Sequence, residues 1–482
     1  MSKNTFTTMR IRLCRKRTGQ GLRAVVHAGS MSLAFCIILP AVLLLFTEVL
    51  RFSREARADA DLARHARMIT DSALALYDRD LYKTFGLFGM KEEDAKKALD
   101  SDVLPNTGAS LKLEMADELK ESDVIKDGIA RHMTWRAATS ILVDAIDKLR
   151  ALEKIGHEVN VTQLSDYFPS VLKQGYETID PDLGVIDEEP EWKDEYEALM
   201  NTEIRDVYQK GLSYLAPIFI PSEAGAEHET LHVNPFDNSG LQKFGGLVDK
   251  MLFVAPEGVL DRLILSEYAL SYFYNDVPYV MRHGIRRDDY TPDGRMISKF
   301  SDSRRYEAEE IATGLKGKKA KTAVLVFIGA IRFAIHFVEI ITNETERASF
   351  KATATATAAA ISAVSLGSVN IPPEAIEWLL MATTALTRGA IDSSALNKGK
   401  EVDLWPGKKK IELKFRYRDF LRILIVAQSP DKIAKRIAHT IDYVYPSRYY
   451  TTVCCVIHCD DRILRFDAGF LNRKPEQDEI VQ

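Results

Sequence analysis

The chain has 482 residues, of which 28% are charged and 46% are hydrophobic, and its formal net charge is −5. A balance this close to neutral lacks the basic surplus typical of nucleic-acid-binding proteins. Five cysteines in so long a chain exclude a small scaffold held together by disulfides. The residues after position 50 are numerous enough to bury a large core and to form two or more sub-domains.

The first predicted element is a membrane-spanning helix over residues 29–50. Residues 29–47 contain no lysine, arginine, aspartate or glutamate. A helix rises about 1.5 Å per residue, so roughly 20 such residues cross the ~30 Å hydrocarbon core of a bilayer. We predict a membrane anchor that is kinked at its internal proline. The residues predicted to form this anchor are Gly29, Leu33, Phe35, Ile37, Ile38, Pro40, Leu43, Leu44 and Phe46.

The charges on either side of this helix predict its orientation. Lysines and arginines are frequent in residues 1–28, and the first acidic residue of the chain is Glu48. Positive charge beside a first membrane segment remains in the cytoplasm. We therefore expect a basic cytoplasmic tail over residues 1–28 and a single-pass protein of the cell membrane whose bulk is extracytoplasmic. A cleaved signal peptide is the alternative, but its apolar core spans only about 7 to 15 residues.

Residues 51–90 predict a stalk helix that continues out of the membrane, so that one nearly unbroken helix runs from Ser32 to about Phe85. Apolar residues recur at spacings of four and three, which is the pattern of an amphipathic helix. This stalk seam consists of Leu62, Ala66, Ile69, Ala73 and Leu76. Five positions are few for an independent coiled coil, so packing on the chain's own domain is favoured over packing on another copy.

The rest of the chain predicts a mainly α fold with small β elements, an α+β arrangement. Residues 91–304 are expected to form a first extracytoplasmic region, and residues 305–473 a second helical region that ends in a β-hairpin. Residues 474–482 form a polar tail. The predicted helices cover residues 124–155, 192–215, 241–254, 259–274, 374–388, 417–427 and 431–443. The predicted strands cover residues 111–115, 410–416, 449–457 and 463–466.

A second hydrophobic stretch, residues 323–341, contains Arg332, His336 and Glu339 at spacings of four and three. Charges at the centre of a membrane span are costly, whereas an amphipathic helix needs a polar stripe. We therefore predict a core helix. The three residues could act as an acid-base set, but a polar stripe that satisfies a neighbouring loop is the favoured interpretation.

The best candidates for metal or thiol chemistry are Cys454, Cys455, His458 and Cys459. Consecutive residues of a strand face opposite sides, so the first two cysteines cannot easily share a metal ion. Packed cysteines are favoured, and a disulfide between Cys455 and Cys459 remains open.

Two further charged groups are predicted to lie on the surface. Tyr306, Glu307, Glu309 and Glu310 are interpreted as a solvated acidic helix face. Tyr417, Arg418, Asp419 and Arg422 are interpreted as pairs on a helix surface. No phosphate loop, dinucleotide fingerprint or HExxH motif occurs in the chain. We therefore expect no catalytic residue, no metal site and no cofactor.

Four segments together resemble a known family. They are LYDRDLYKTFGLF at residues 76–88, HMTWR at 132–136, YEAEEIATG at 306–314 and RYRDFLRIL at 416–424. With Gly29-Ser30 leading into an apolar helix, they resemble the TadE/TadG-like, pilin-related proteins of bacterial tight-adherence loci. The closer similarity is to a long, single-anchor family found with such loci. Pilin processing cleaves after a glycine and usually needs a glutamate five residues on, where this chain has Ala34, so a cleaved and a persistent anchor both remain open.

The resemblance implies an envelope protein with a structural or assembly role in a tight-adherence pilus or a related secretion apparatus, and no enzymatic activity. The expected partners are membrane lipid and pilus or envelope subunits, with a second copy of the chain as a further candidate. The alternative is a membrane-tethered enzyme that uses the Cys/His cluster near residues 454–459.

Overall fold

The computed structural model describes residues 28–101, 110–136, 146–148, 150–151, 259–290, 304–364, 372–405, 413–459 and 462–471. The predictions for residues 1–27, 192–215, 241–254 and 474–482 lie outside these ranges. The described chain is mainly helical with small antiparallel sheets, which confirms the prediction of a mainly α fold with small β elements. It divides into two units, Met1–Ala66 and Arg67–Gln482.

The first helix, α1, spans Ala28–Ala75 and has 48 residues. The prediction of one unbroken helix to Phe85 is wrong, because the chain turns after Ala75. Asp78 adopts an extended backbone, and its carboxylate accepts hydrogen bonds from the amides of Asp80 and Leu81. This N-cap starts a separate helix, α2, at Arg79–Phe85.

A three-stranded antiparallel sheet joins distant parts of the chain. Its strands are β1 at Ser110–Glu118, β6 at Tyr450–Cys459 and β7 at Arg462–Gly469, in the order β1-β6-β7. The predicted C-terminal hairpin is therefore confirmed as β6 and β7. The third strand, β1, pairs with β6 although more than 300 residues separate them in sequence, and no local pattern indicates such a pairing.

The largest buried helix, α7, spans Lys318–Thr342 and packs against α9, Pro373–Asn397. A Cβ atom on Gly389 of α9 would lie 2.8 Å from the Gly329 carbonyl oxygen and 2.9 Å from the Phe333 amide nitrogen of α7. Only glycine permits so close an approach of two helix backbones. A further helix, α8 at Glu344–Val364, packs on α9 as well.

The remaining described elements are six helices and two short hairpins. The helices are α3 at Glu92–Ser101, α4 at Ser122–Arg136, α5 at Val259–Tyr272, α6 at Glu307–Thr313, α10 at Tyr417–Val426 and α11 at Pro430–Val444. Two short hairpins pair β2, Tyr279–Arg282, with β3, Ile285–Asp288, and β4, Val402–Asp403, with β5, Lys414–Phe415. Phe85 and Phe273 pack with ring centroids 5.2 Å apart, so α2 contacts the residue that follows α5. Both lie in the unit Arg67–Gln482, which we call the body.

Candidate functional site

The most unusual surface of the described chain is the apolar segment of α1. Every side chain from Ile38 to Arg54 is exposed, on all sides of the helix. The exposed fraction reaches 68% at Leu44 and 74% at Phe52. The large apolar residues exposed here are Ile38, Leu39, Val42, Leu43, Leu44, Leu45, Phe46, Val49, Leu50 and Phe52. A helix that is apolar on every side normally has apolar surroundings.

The predicted anchor residues lie in this helix. Ile38, Pro40, Leu43, Leu44 and Phe46 are exposed. Gly29, Leu33, Phe35 and Ile37 belong to α1, but their side chains are outside the described part of the chain. The Thr47 hydroxyl donates to the Leu44 carbonyl at 2.7 Å, so this polar group is satisfied within the helix. Such a bond suits a hydroxyl in an apolar medium.

Four of the five predicted seam residues are buried, and the fifth, Leu76, is exposed. Ile69 and Ala73 are 1% and 0% exposed, and Leu62 and Ala66 are buried as well. Leu76 is 42% exposed because it follows the last residue of the helix and no longer shares its face.

Among the residues whose side chains the structure describes, which leave out residues 28–35 and 37 of α1, one helix is long and apolar enough to cross a membrane. This is α7, and 83% of its most apolar stretch is buried within the protein. The burial confirms the prediction of a core helix. Arg332 and His336 on this helix are 1% and 5% exposed, so their polar groups depend on partners inside the protein.

Asp392 on α9 is a partner of both side chains, and no local pattern in the sequence indicates this. The Arg332 Nε donates to the Asp392 carboxylate at 2.7 Å, and His336 Nε2 lies 2.8 Å from the same carboxylate. His336 Nδ1 lies 3.2 Å from Glu339. Burial lowers the pKa of His336, but the hydrogen bonds to Asp392 and Glu339 outweigh it and raise the pKa above its ordinary value. The imidazole lies between the two carboxylates, and its contact with Asp392 links α7 to α9.

The predicted Cys/His cluster does not form a site. Cys454 and Cys455 are 1% and 0% exposed and face opposite sides of β6, whereas His458 is exposed. Burial raises the pKa of the Cys454 thiol to about 12 and that of the Cys455 thiol to about 11. Thiols with such pKa values stay protonated at neutral pH and are poor nucleophiles and metal ligands. Within the described ranges, no group of three His, Cys, Asp or Glu side chains could hold a metal ion.

The disulfide between Cys455 and Cys459 is excluded by the strand. Both residues belong to β6, which is continuous from Tyr450 to Cys459. Four residues of an extended strand span about 13 Å, and a disulfide needs Cα atoms less than about 7 Å apart. Cys455 is accordingly a free thiol.

The two groups that were predicted to lie on the surface are mostly buried, which corrects both interpretations. Glu307 and Glu309 of α6 are 6% and 0% exposed. All four residues of the second group are buried, namely Tyr417, Arg418, Asp419 and Arg422. The pattern of charged and apolar residues in these two segments does not show that the charged side chains are buried inside the protein.

Asp419 is the centre of one buried ion network. It lies 2.5 Å from the Arg422 guanidinium and 3.0 Å from Lys148 Nζ, and Arg422 also pairs with Glu267 of α5. Burial raises the pKa of the Asp419 carboxyl, but the charges of Arg422, Lys148 and Arg418 outweigh it and hold the pKa at about 2. The network joins α10 to α5 through paired charges.

The four segments that resemble the pilin-related family meet in two contacts. The Tyr417 hydroxyl donates to Glu309 Oε1 at 3.0 Å, which joins residues 416–424 to residues 306–314. Gly86 has φ +70°, and a Cβ there would collide with the His132 ring. This second contact joins residues 76–88 to residues 132–136. Each of these contacts joins two of the four segments.

No protein-family model matches the chain, and neither a curated protein nor a solved structure shows significant similarity to it.

Proposed function

We propose that the chain is a single-pass membrane protein with a structural or assembly role in a tight-adherence pilus or a related envelope secretion apparatus. The exposed apolar surface of α1 is the observation that carries this proposal. Apolar surface in water costs about 25 cal/mol per Å², and a bilayer around residues 38–50 removes that cost. The basic residues before position 28 favour a cytoplasmic N-terminus and an extracytoplasmic body.

A structural role agrees with how the ionisable residues are used. His336 and Asp419 are both enclosed in charge networks that join helices. The family resemblance adds the pilus apparatus, and its four segments lie where they stabilise the fold. Membrane lipid and pilus or envelope subunits are the partners that follow from this proposal.

Topology is tested by labelling a single cysteine from outside the membrane. Lys400 is exposed and lies beyond α9. A Lys400→Cys variant in which the native cysteines are replaced should therefore react with a membrane-impermeant maleimide in spheroplasts. The matched control is Lys16→Cys in the basic tail, which should react only after lysis. Labelling of position 400 only after lysis would contradict the orientation.

The assembly role is tested by crosslinking in cells that make pili. The tagged full chain, treated with formaldehyde and purified, should carry a pilus subunit or a component of the secretion apparatus. A variant with Leu43→Arg and Leu44→Arg, which impair the anchor, is the control and should lose that partner. If the wild-type chain never recovers such a component, the assembly role is to be abandoned, whatever the topology result.

A further inference from the structure

Strand β7 is the last strand of the three-stranded sheet among the strands that the structure describes. It pairs with β6 from Gly469 to Arg462 without a skipped residue, and among the described strands none pairs with its other side. The strand contains no proline, and the side chain of Ile463 is 67% exposed. Proteins usually protect such an edge with a bulge, a proline or a covering element, because its amides and carbonyls can pair with another strand.

We propose that β7 pairs antiparallel with β7 of a second copy of this chain, so that two three-stranded sheets become one six-stranded sheet. A twofold axis makes such a contact self-complementary, since each copy contributes the same strand. The proposed partner is therefore a second copy of the chain, because the charges along β7 are complementary to those of the same strand in antiparallel orientation.

The register follows from those charges. In an antiparallel pair with twofold symmetry, one residue lies opposite its own copy, and its neighbours pair across the axis. Centring the pair on Arg465 or on Asp467 would place like charges opposite each other, which destabilises a sheet. Centring it on Phe466 places Arg465 opposite Asp467 twice and pairs residues 463–469 throughout.

The side chains agree with this register. Arg465 and Asp467 lie on one face of β7 and already interact at 3.3 Å within the chain, where both are partly exposed to solvent. Phe466 lies on the other face and is half-buried. In the proposed pair its ring meets Phe466 of the second copy, and aromatic cross-strand pairs are among the more favourable ones.

The contact is small. One pair of short strands buries less than the roughly 1,200 Å² of a stable complex, so the dimer should be weak and reversible. A register-specific covalent trap is therefore the appropriate test, applied to the full chain in its membrane.

The first experiment oxidises cysteine variants of the full chain in isolated membranes. Cys14, Cys36 and Cys459 are replaced by serine, and Cys454 and Cys455 by alanine, because Cys455 lies directly opposite Phe466 in the β6–β7 pair and would compete for a new thiol there. Phe466→Cys should give a disulfide-linked dimer. The matched control is Leu464→Cys on the same face, whose copies would lie about 13 Å apart in this register and should not be linked. A dimer from position 464, or none from position 466, would overturn the register.

The second experiment reverses the charges and does not depend on cysteines. Arg465→Asp and Asp467→Arg should each weaken dimerisation of the detergent-solubilised full chain by about tenfold, because like charges then face each other. The double variant restores the opposite pairing and should dimerise as the wild type does. Circular dichroism of each variant verifies the fold. Equal dimerisation of all four proteins, or a monomer at every concentration, would overturn the proposal.

Discussion

Glu309 is a carboxyl group with no exposed surface and an uneven set of hydrogen bonds. Its Oε1 accepts from the Asp276 amide and from the Tyr417 hydroxyl, whereas its Oε2 has no hydrogen-bond partner among the described residues. Burial raises the pKa of this carboxyl from 4.5 to about 7. The unpaired oxygen is where the proton is expected to reside.

This protonation makes stability depend on pH. Because the folded state holds the proton more tightly than the unfolded state, the stabilisation is complete below about pH 4.5 and is lost as the pH rises to about 7. The loss amounts to roughly 3 kcal/mol of unfolding free energy. Glu309→Gln keeps the shape and the Oε1 acceptor but cannot ionise, so it should remove this part of the pH dependence.

Urea unfolding of wild type and Glu309→Gln at pH 5 and pH 8 measures the effect. The difference in unfolding free energy between the two proteins should change by about 2.5 kcal/mol between these pH values, since part of the loss has already occurred at pH 5. Glu310→Gln on the same helix is the control and should leave that pH dependence as in the wild type. Parallel behaviour of wild type and Glu309→Gln would show that Glu309 is already ionised at pH 5.

At the scale of elements, the proposed membrane anchor can be tested by substitutions in the apolar segment of α1. Leu43 and Leu44 are 55% and 68% exposed near the centre of this segment. Arginine at the centre of a membrane helix costs about 3 kcal/mol, so replacing both leucines by arginine should cost roughly 6 kcal/mol of insertion free energy. We expect a large part of the protein to leave the membrane fraction.

The control for this prediction is a pair of equally exposed apolar residues on the body. Ile285 and Ile391 are 60% and 62% exposed, and their replacement by arginine should not change the membrane fraction. Sedimentation of membranes followed by immunoblotting provides the measurement. An unchanged membrane fraction for the Leu43 and Leu44 variant would refute the anchor.

The spacing of apolar residues predicted those helices whose ends are marked in the sequence itself, for example by a proline or a capping residue. The Pro430 start of α11 and the burial of α7 were both evident from the sequence. The partners of Arg332 were not, since Asp392 is 60 residues away and reaches it only because α7 and α9 pack together. The end of α1 was also missed. The apolar spacing that continues to Leu76 predicts a longer helix, but the Asp78 carboxylate caps a new helix and so ends the first one.

At the scale of the whole molecule, the body should be independent of a lipid environment. Its most apolar helix, α7, is enclosed by the protein. A truncated chain that begins at Arg57 lacks the exposed apolar segment and keeps the buried residues Leu62 and Ala66. We expect this chain to be soluble without detergent.

Ultracentrifugation of lysates decides this prediction. The truncated chain should remain in the supernatant with the helical circular dichroism of a folded protein, while the full chain sediments with membranes. Retention of the truncated chain in the membrane fraction, with extraction only by detergent, would show that a segment other than residues 38–50 holds it there.

The adjacent thiols of β6 have a consequence for the order of events during biogenesis. At pH 7 a thiol with the pKa of Cys455, about 11, is ionised in only about one molecule in 10⁴, so oxidants that attack thiolates hardly react with it. This inertness exists only while both thiols are buried, and in the unfolded chain each has the ordinary reactivity of a cysteine. Folding of the segment that contains β6 therefore lowers the reactivity of these two thiols toward oxidants, and slow folding would lengthen the interval in which they can form mispaired disulfides.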